Sequence, residues 1–162
     1  MRYIMKQKFF SLADSFTIQD AKGNPAFEVK GKLLSIGDKL DIYRPGGELV
    51  AQVRQKVLSL GTRYRILRDG DVQAMVKKRR FTLLKDKFKV EMHDGTPDIE
   101  IEGNILEHNY RFERAGRPVA RVSKQWVSLR DSYGIDVAEG EDDVLILACA
   151  IIIDMISHND SD

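Results

Sequence analysis

The sequence predicts a mainly β fold: a closed antiparallel barrel of twelve strands around one buried C-terminal helix. Two observations carry that expectation. One is a repeat of about 23 residues, in which Gly precedes an apolar pair, then Ser/Thr–Leu/Ile, then a second apolar pair. The other is an unbroken apolar run from Val144 to Ile153 near the end of the chain.

Two copies of the repeat are the clearest. Gly47, Ala51, Val53, Ser59, Leu60, Tyr64 and Ile66 recur, 69 residues on, as Gly116, Ala120, Val122, Ser128, Leu129, Tyr133 and Ile135. A third copy runs Gly70, Ala74, Val76, Thr82, Leu83, Phe88, Val90, and an earlier one Gly23, Phe27, Val29, Ser35, Ile36, Leu40, Ile42. A truncated copy opens the chain with Tyr3, Met5, Ser11, Leu12, Phe16 and Ile18. A degraded copy reads Gly95, Ile99, Ile101, Tyr110, Phe112, with Glu107–His108 in place of Ser–Leu. Within each copy the apolar residues lie two apart, and alternate side chains of a strand share one face. Gly marks the junctions, as in Asp69-Gly70 and Asp94-Gly95, where a tight hairpin needs positive φ. Six units of two strands predict twelve strands over about 3–138, joined as an antiparallel meander.

The helix is expected over about 141–157. Glu139-Gly140-Glu141-Asp142-Asp143 precedes the apolar run, and carboxylates suit the positive end of a helix. A central strand is the competing reading of Val144–Ile153; Leu147-Ala148-Cys149-Ala150 in its middle favours helix. A helix without a polar stripe must be buried on every side. A barrel of about eight strands is filled by its own side chains, whereas twelve leave room for a helix about 10 Å across. A closed barrel also removes the sheet edges.

The whole chain, 1–162, is read as a single domain. One cysteine, Cys149, excludes an internal disulfide, and its apolar neighbours suit an inert thiol rather than a nucleophile. No secretory signal is visible, and the ten apolar residues before Asp154 fall short of the roughly 20 that span a bilayer. The expected location is cytoplasmic, with peripheral contact at a membrane. A net charge of +1 conceals a strong asymmetry. Residues 50–90 carry 12 Lys/Arg against 3 Asp/Glu, whereas residues 91–162 carry 6 against 16. Such segregation implies a local field.

Gly31, Gly47, Val50-Ala51, Val53 and Lys56 resemble the LURP-one-related family, as does Asp131-Ser132-Tyr133-Gly134-Ile135-Asp136-Val137 leading into Asp142-Asp143-Val144-Leu145-Ile146-Leu147-Ala148 and ending Ile153-Asp154. The resemblance covers nearly the whole chain. That family is similar to the tubby C-terminal domain and to phospholipid scramblases, which implies a tubby C-terminal-like barrel with a central helix. It also implies contact with phospholipid headgroups through basic residues on the barrel wall. The chain departs from the scramblase pattern: it has no Pro-rich or Cys-rich tail, and Asp131–Asp136 holds fewer carboxylates than the scramblase calcium motif.

The sharpest polar feature is Lys77-Lys78-Arg79-Arg80, expected where strand seven ends. Lys85, Lys87 and Lys89 follow at period two, and Arg63 and Arg65 do the same on strand six. Strands lie about 4.8 Å apart, so strands six to eight would gather these cations into one anion-binding face. The plainer reading is a solvated wall that discourages edge pairing. Nucleic acid is the less favoured ligand, because Tyr64 and Phe88 occupy core positions rather than stacking platforms. Asp131, Asp136, Glu139, Glu141, Asp142 and Asp143 offer oxygen ligands for calcium, but helix-start electrostatics accounts for half of them. His93, His108 and His158 show no metal-ligand spacing; His158, four residues after Asp154, suits a helix-end pair. Asp154 either caps the helix or is a buried paired carboxylate, and Trp126 is read as a packing residue. No catalytic motif or cofactor motif is found. The expected protein is a non-enzymatic module for an anionic ligand or lipid headgroup, the alternatives being scramblase-like lipid handling and a protein-interaction scaffold.

Overall fold

The structure, a computed structural model, describes residues 1–6, 15–32, 37–56, 61–82, 85–125 and 131–161. Among them the alternating pattern forms twelve strands: β1 (Arg2–Lys6), β2 (Ser15–Asp20), β3 (Pro25–Lys32), β4 (Lys39–Tyr43), β5 (Leu49–Gln55), β6 (Arg63–Arg68), β7 (Asp71–Thr82), β8 (Lys85–Met92), β9 (Ile99–Asn104), β10 (Asn109–Arg114), β11 (Arg117–Ser123) and β12 (Ser132–Val137). One helix follows, α1 (Asp143–Ser161). Each strand pairs with its neighbours in chain order, and β1 pairs antiparallel with β12 to close the barrel. The closing register sets Tyr3 opposite Ile135 and Met5 opposite Tyr133.

The apolar pairs of the repeat are the inward positions. Val29, Ile42, Val53, Ile66, Val76, Val90, Phe112, Val122 and Ile135 are all buried. Residues between them face outward, which is why most of the charged side chains lie on the wall. The Asp69-Gly70 hairpin has φ of 51° and 83° at its two central residues, the handedness that matches the twist of a two-residue turn. Gly31 serves a different purpose. It sits opposite Leu40 on the inner face, and a Cβ there would lie 2.1 Å from the Lys39 carbonyl oxygen.

Along α1, Val144 through Ile153 are at most 5% exposed, so the apolar run lies inside the barrel on every side. The helix starts at Asp143, slightly later than the sequence suggests, because Asp142 is its cap. Its Oδ1 accepts from the Leu145 amide at 3.2 Å. The same carboxylate is held by Arg68 at 2.9 Å and by the Gln73 amide group at 3.1 Å. Glu141 pairs with Arg114 at 2.6 Å, and Asp143 accepts from the Tyr3 hydroxyl. Three consecutive acidic residues thus tie the helix entry to β1, to β6 and β7, and to β10. Burial, followed by the Asp143 hydrogen bond, pushes the Tyr3 hydroxyl well above its ordinary range.

Two substitutions test these supports. Gly31→Ala is expected to destabilise by at least about 2 kcal/mol, because backbone on β4 must move. Asp142→Ala is expected to cost about 1–2 kcal/mol, and Asp142→Asn, which keeps a capping oxygen, less. Urea denaturation midpoints measure both; unchanged midpoints would show that neither support carries load.

Candidate functional site

Strands β6, β7 and β8 are consecutive in the sheet, so their outward cations meet. Arg63 lies opposite Lys77, Lys77 opposite Lys89, and Arg79 opposite Lys87. Arg65 lies opposite Arg54 of β5 on its other side. Lys77 through Arg80 lie within β7, which continues to Thr82, rather than at its end. Alternation then splits the run. Lys77 and Arg79 face outward, whereas Lys78 shares its register position with buried Phe88, on the opposite face. Arg80 and Lys85 belong to β7 and β8, and their side chains lie outside the described residues. The same holds for the side chain of His158, and Trp126 is outside the described residues altogether.

Most of the outward cations have carboxylate partners. Lys77 pairs with Glu91, and that hydrogen bond holds the Glu91 carboxyl below its ordinary range. Lys89 pairs with Asp98 at 3.5 Å, Arg79 with Glu100 at 3.7 Å, and Lys87 with Glu102 at 3.7 Å. Arg54 pairs with Asp41 at 2.9 Å and also donates to the Leu40 and Val53 carbonyls. Arg63 and Arg65 differ: among the described residues neither forms an ion pair. The Arg65 Nε is buried with no acceptor. Two arginines about 7 Å apart on one strand, bordered by Lys77 and Arg54, therefore form the open part of the basic face.

A second cluster lies at the far end of the helix. Asp154 is a buried paired carboxylate, 6% exposed, which decides between the two roles left open by the sequence. It accepts from the Tyr133 hydroxyl, and its Oδ1 lies 3.5 Å from His108 Nε2. The His108 ring stacks on Tyr133 with centroids 4.3 Å apart. Burial, reinforced by Asp154, pushes the Tyr133 and Tyr110 hydroxyls well above the ordinary range. Tyr64, at the repeat position matching Tyr133, likewise donates to a buried carboxylate, Asp38, at 2.8 Å. Burial pushes the Cys149 thiol up, which opposes nucleophilic use. The one sequence signal for this cluster is the Glu107–His108 departure from the repeat.

The acidic segment before the helix is divided among structural tasks. Glu141, Asp142 and Asp143 hold the helix entry, while Asp136 on β12 pairs with Arg2 at 3.8 Å. Among the described residues no three His, Cys, Asp or Glu side chains converge as a metal-binding set. A cleft of about 450 Å³ beside the helix entry is lined by Arg68, Asp71, His93, Asp94 and Asp142, but the Arg68 guanidinium is already engaged by Asp142. Among the described residues no helix is long and apolar enough to cross a membrane.

Comparison with known proteins agrees with this architecture. Uncharacterized protein YxjI of Bacillus subtilis (strain 168) is 34% identical over 158 residues, covering 98% of this chain and 94% of the relative. The X-ray structure of the Arabidopsis thaliana protein AT5G01750 superposes with a TM-score of 0.70 over 96% of this chain and 90% of that one; at 19% identity the likeness is one of fold. The LURP-one-related family model matches residues 1–154, and the chain belongs to the LURP-one-related family.

Proposed function

We propose that this barrel is a non-enzymatic binding module whose outer wall at β5–β8 takes an anionic ligand, with phospholipid headgroups as the first class. One observation carries the reading: Arg63 and Arg65 stand side by side on the wall without a carboxylate partner among the described residues, while the cations around them are paired. Adjacent guanidinium groups repel each other, and an oxyanion bridging them relieves that repulsion while supplying charge-assisted hydrogen bonds. Lys77, Arg79 and Lys87 contribute to the field around this pair, but their partners Glu91, Glu100 and Glu102 reduce it. A non-enzymatic role is supported by the tyrosine and cysteine side chains of the lumen, which burial keeps protonated and out of contact with solvent.

Cosedimentation with phosphatidylserine-containing vesicles over a salt series tests this reading. Binding is expected at low salt and should weaken as salt rises. Each cation near an anionic surface contributes about 1 kcal/mol, so Arg63→Gln with Arg65→Gln should lower partitioning about 30-fold. Arg79→Gln with Lys87→Gln should lower it less, because the carboxylates that already engage Arg79 and Lys87 leave them with less to offer a bound anion. Absence of binding at low salt, or equal losses from the two double variants, would sink the proposal.

A further inference from the structure

The charges of the wall are sorted along the barrel axis as well as around it. Asp143 beside Tyr3, near the start of β1, marks the end where the helix enters. Asp154 beside Tyr133, near the start of β12, marks the end where it leaves. Alternate strands of the meander run in opposite directions between these ends. β3, β5 and β7 run from entry to exit, and along them a carboxylate precedes a cation: Glu28 before Lys30, Glu48 at the turn into β5 before Arg54, Asp71 before Lys77. β4, β8 and β10 run the other way, and the order is reversed: Lys39 before Asp41, Lys87 before Glu91, Arg111 before Glu113. Both orders put the cation at the exit end. Asp86 and Arg114 are the exceptions within these strands, and the other six carry one sign each.

The two ends also differ in what their charges already hold. At the entry end, Asp20 accepts from the Lys22 and Asn24 amides at 2.8 and 2.9 Å, and Asp94 from the Thr96 amide at 3.0 Å. Glu48 pairs with Arg44 at 3.3 Å, and Glu141 with Arg114. At the exit end, Lys6, Lys39 and Lys124 form no ion pair among the described residues, and Lys6 and Lys39 are exposed. Lys39 lies opposite Lys32 on one side and Arg54 on the other. Around the sheet, Lys6 belongs to β1, Lys39 to β4, Arg63 to β6 and Lys87 to β8, while Lys124 directly follows β11. The exit rim thus carries a cation every two or three strands, a ring rather than a stripe. Glu107 and Asp131 are exposed carboxylates at this end, and Leu106, 67% exposed on the β9–β10 connector, adds an apolar group.

We infer that the barrel meets an anionic lipid bilayer end-on, with its exit rim against the headgroups and the helix entry turned toward water. The inference rests on the phospholipid reading above and adds to it an orientation and three residues outside the β5–β8 wall. A strand of six residues is about 20 Å long, whereas the field of an anionic surface decays over about 8 Å at physiological ionic strength. End-on docking therefore brings the cations into that field and leaves the carboxylates of the entry end beyond it. Side-on docking would bring both in, since Asp71 and Glu91 share the wall with Lys77 and Lys87. A flat, extended polyanion also matches a ring of cations, whereas a rod-shaped nucleic acid would meet only part of it. The acidic end of a second copy is the poorer partner, because several of its carboxylates are engaged within their own turns.

A triple variant, Lys6→Gln with Lys39→Gln and Lys124→Gln, tests the orientation on the full chain, because it leaves Arg63 and Arg65 in place. Its partitioning onto phosphatidylserine-containing vesicles at low salt should fall about 100-fold relative to wild type. Wild-type binding with an unchanged triple variant would overturn the end-on pose while leaving the Arg63–Arg65 reading intact; no wild-type binding removes both. NMR on the same vesicles doped with a gadolinium-chelate lipid supplies a second readout. Amides of Leu106 and Glu107 should broaden, and those of Gly47 and Gly70 at the entry end should not. Equal broadening at the two ends, or broadening confined to the entry end, would refute the orientation. Sedimentation of the lipid-free chain covers the remaining occupant. Self-association at low salt that the triple variant abolishes, with vesicle binding unchanged, would assign the ring to a second copy and overturn the inference.

Discussion

Enclosing a helix that has no polar face is the constraint on which the rest of this structure depends. Val144 through Ile153 present apolar surface in every direction, and an open sheet would leave one side of that surface in water. Pairing β1 with β12 removes the gap. The wall must then fit around a helix as well as close. A small residue recurs at one position of the repeat, and each time it stands opposite a large one: Ala51 opposite Ile42, Ala74 opposite Ile66, Ala120 opposite Phe112. Alternating large and small side chains across neighbouring strands fills the space around a cylinder without voids. The repeat is thus a packing rule written along the chain.

Among the described residues, the hydrogen-bonded carboxylates inside the barrel lie at its two ends. At the entry, Glu141, Asp142 and Asp143 each engage a different sector of wall, which sets the height and rotation of the helix. At the exit, Tyr64 and Tyr133 occupy equivalent repeat positions and donate to Asp38 and Asp154. A tyrosine suits this place, since its ring continues the apolar lumen and its hydroxyl meets the polar rim. The middle of the lumen is apolar, so the polar side chains that could meet another molecule are those of the outer wall and of the ends.

Strand period, hairpin glycines and the unbroken apolar run were legible because each is a local property. Two-residue alternation needs no partner to be visible, and neither does the lack of a polar stripe. The candidate site was legible only in part. Gathering Arg63, Lys77 and Lys87 on adjacent strands follows from a meander, but three further facts depend on register. Lys78 falls on the opposite face from Lys77 because β7 continues through the basic run. Glu91 reaches Lys77 because β8 lies beside β7, and Asp98, Glu100 and Glu102 reach the cations because β9 lies beside β8. His108 meets Asp154 across 46 positions of sequence, through a turn whose geometry no periodicity reveals.

The charge asymmetry of the chain acquires a different meaning once the barrel is closed. Residues 50–90 carry the excess of Lys/Arg and residues 91–162 the excess of Asp/Glu. The boundary between the two falls at the β8–β9 seam, where Lys87 meets Glu102 and Lys89 meets Asp98. Cancellation is therefore strongest at the edge of the basic segment and weakest in its middle. Arg63 and Arg65 on β6 have basic strands on either side, with Arg54 on β5 and Lys77 on β7, and those neighbours engage Asp41 and Glu91. The centre of the positive field thus lies one strand before the Lys77–Arg80 run that dominates the sequence. A cation with a fixed carboxylate partner must give up one interaction to gain another, whereas an unpaired arginine gives up only water, so the middle of the basic segment is where an added negative charge would cost least.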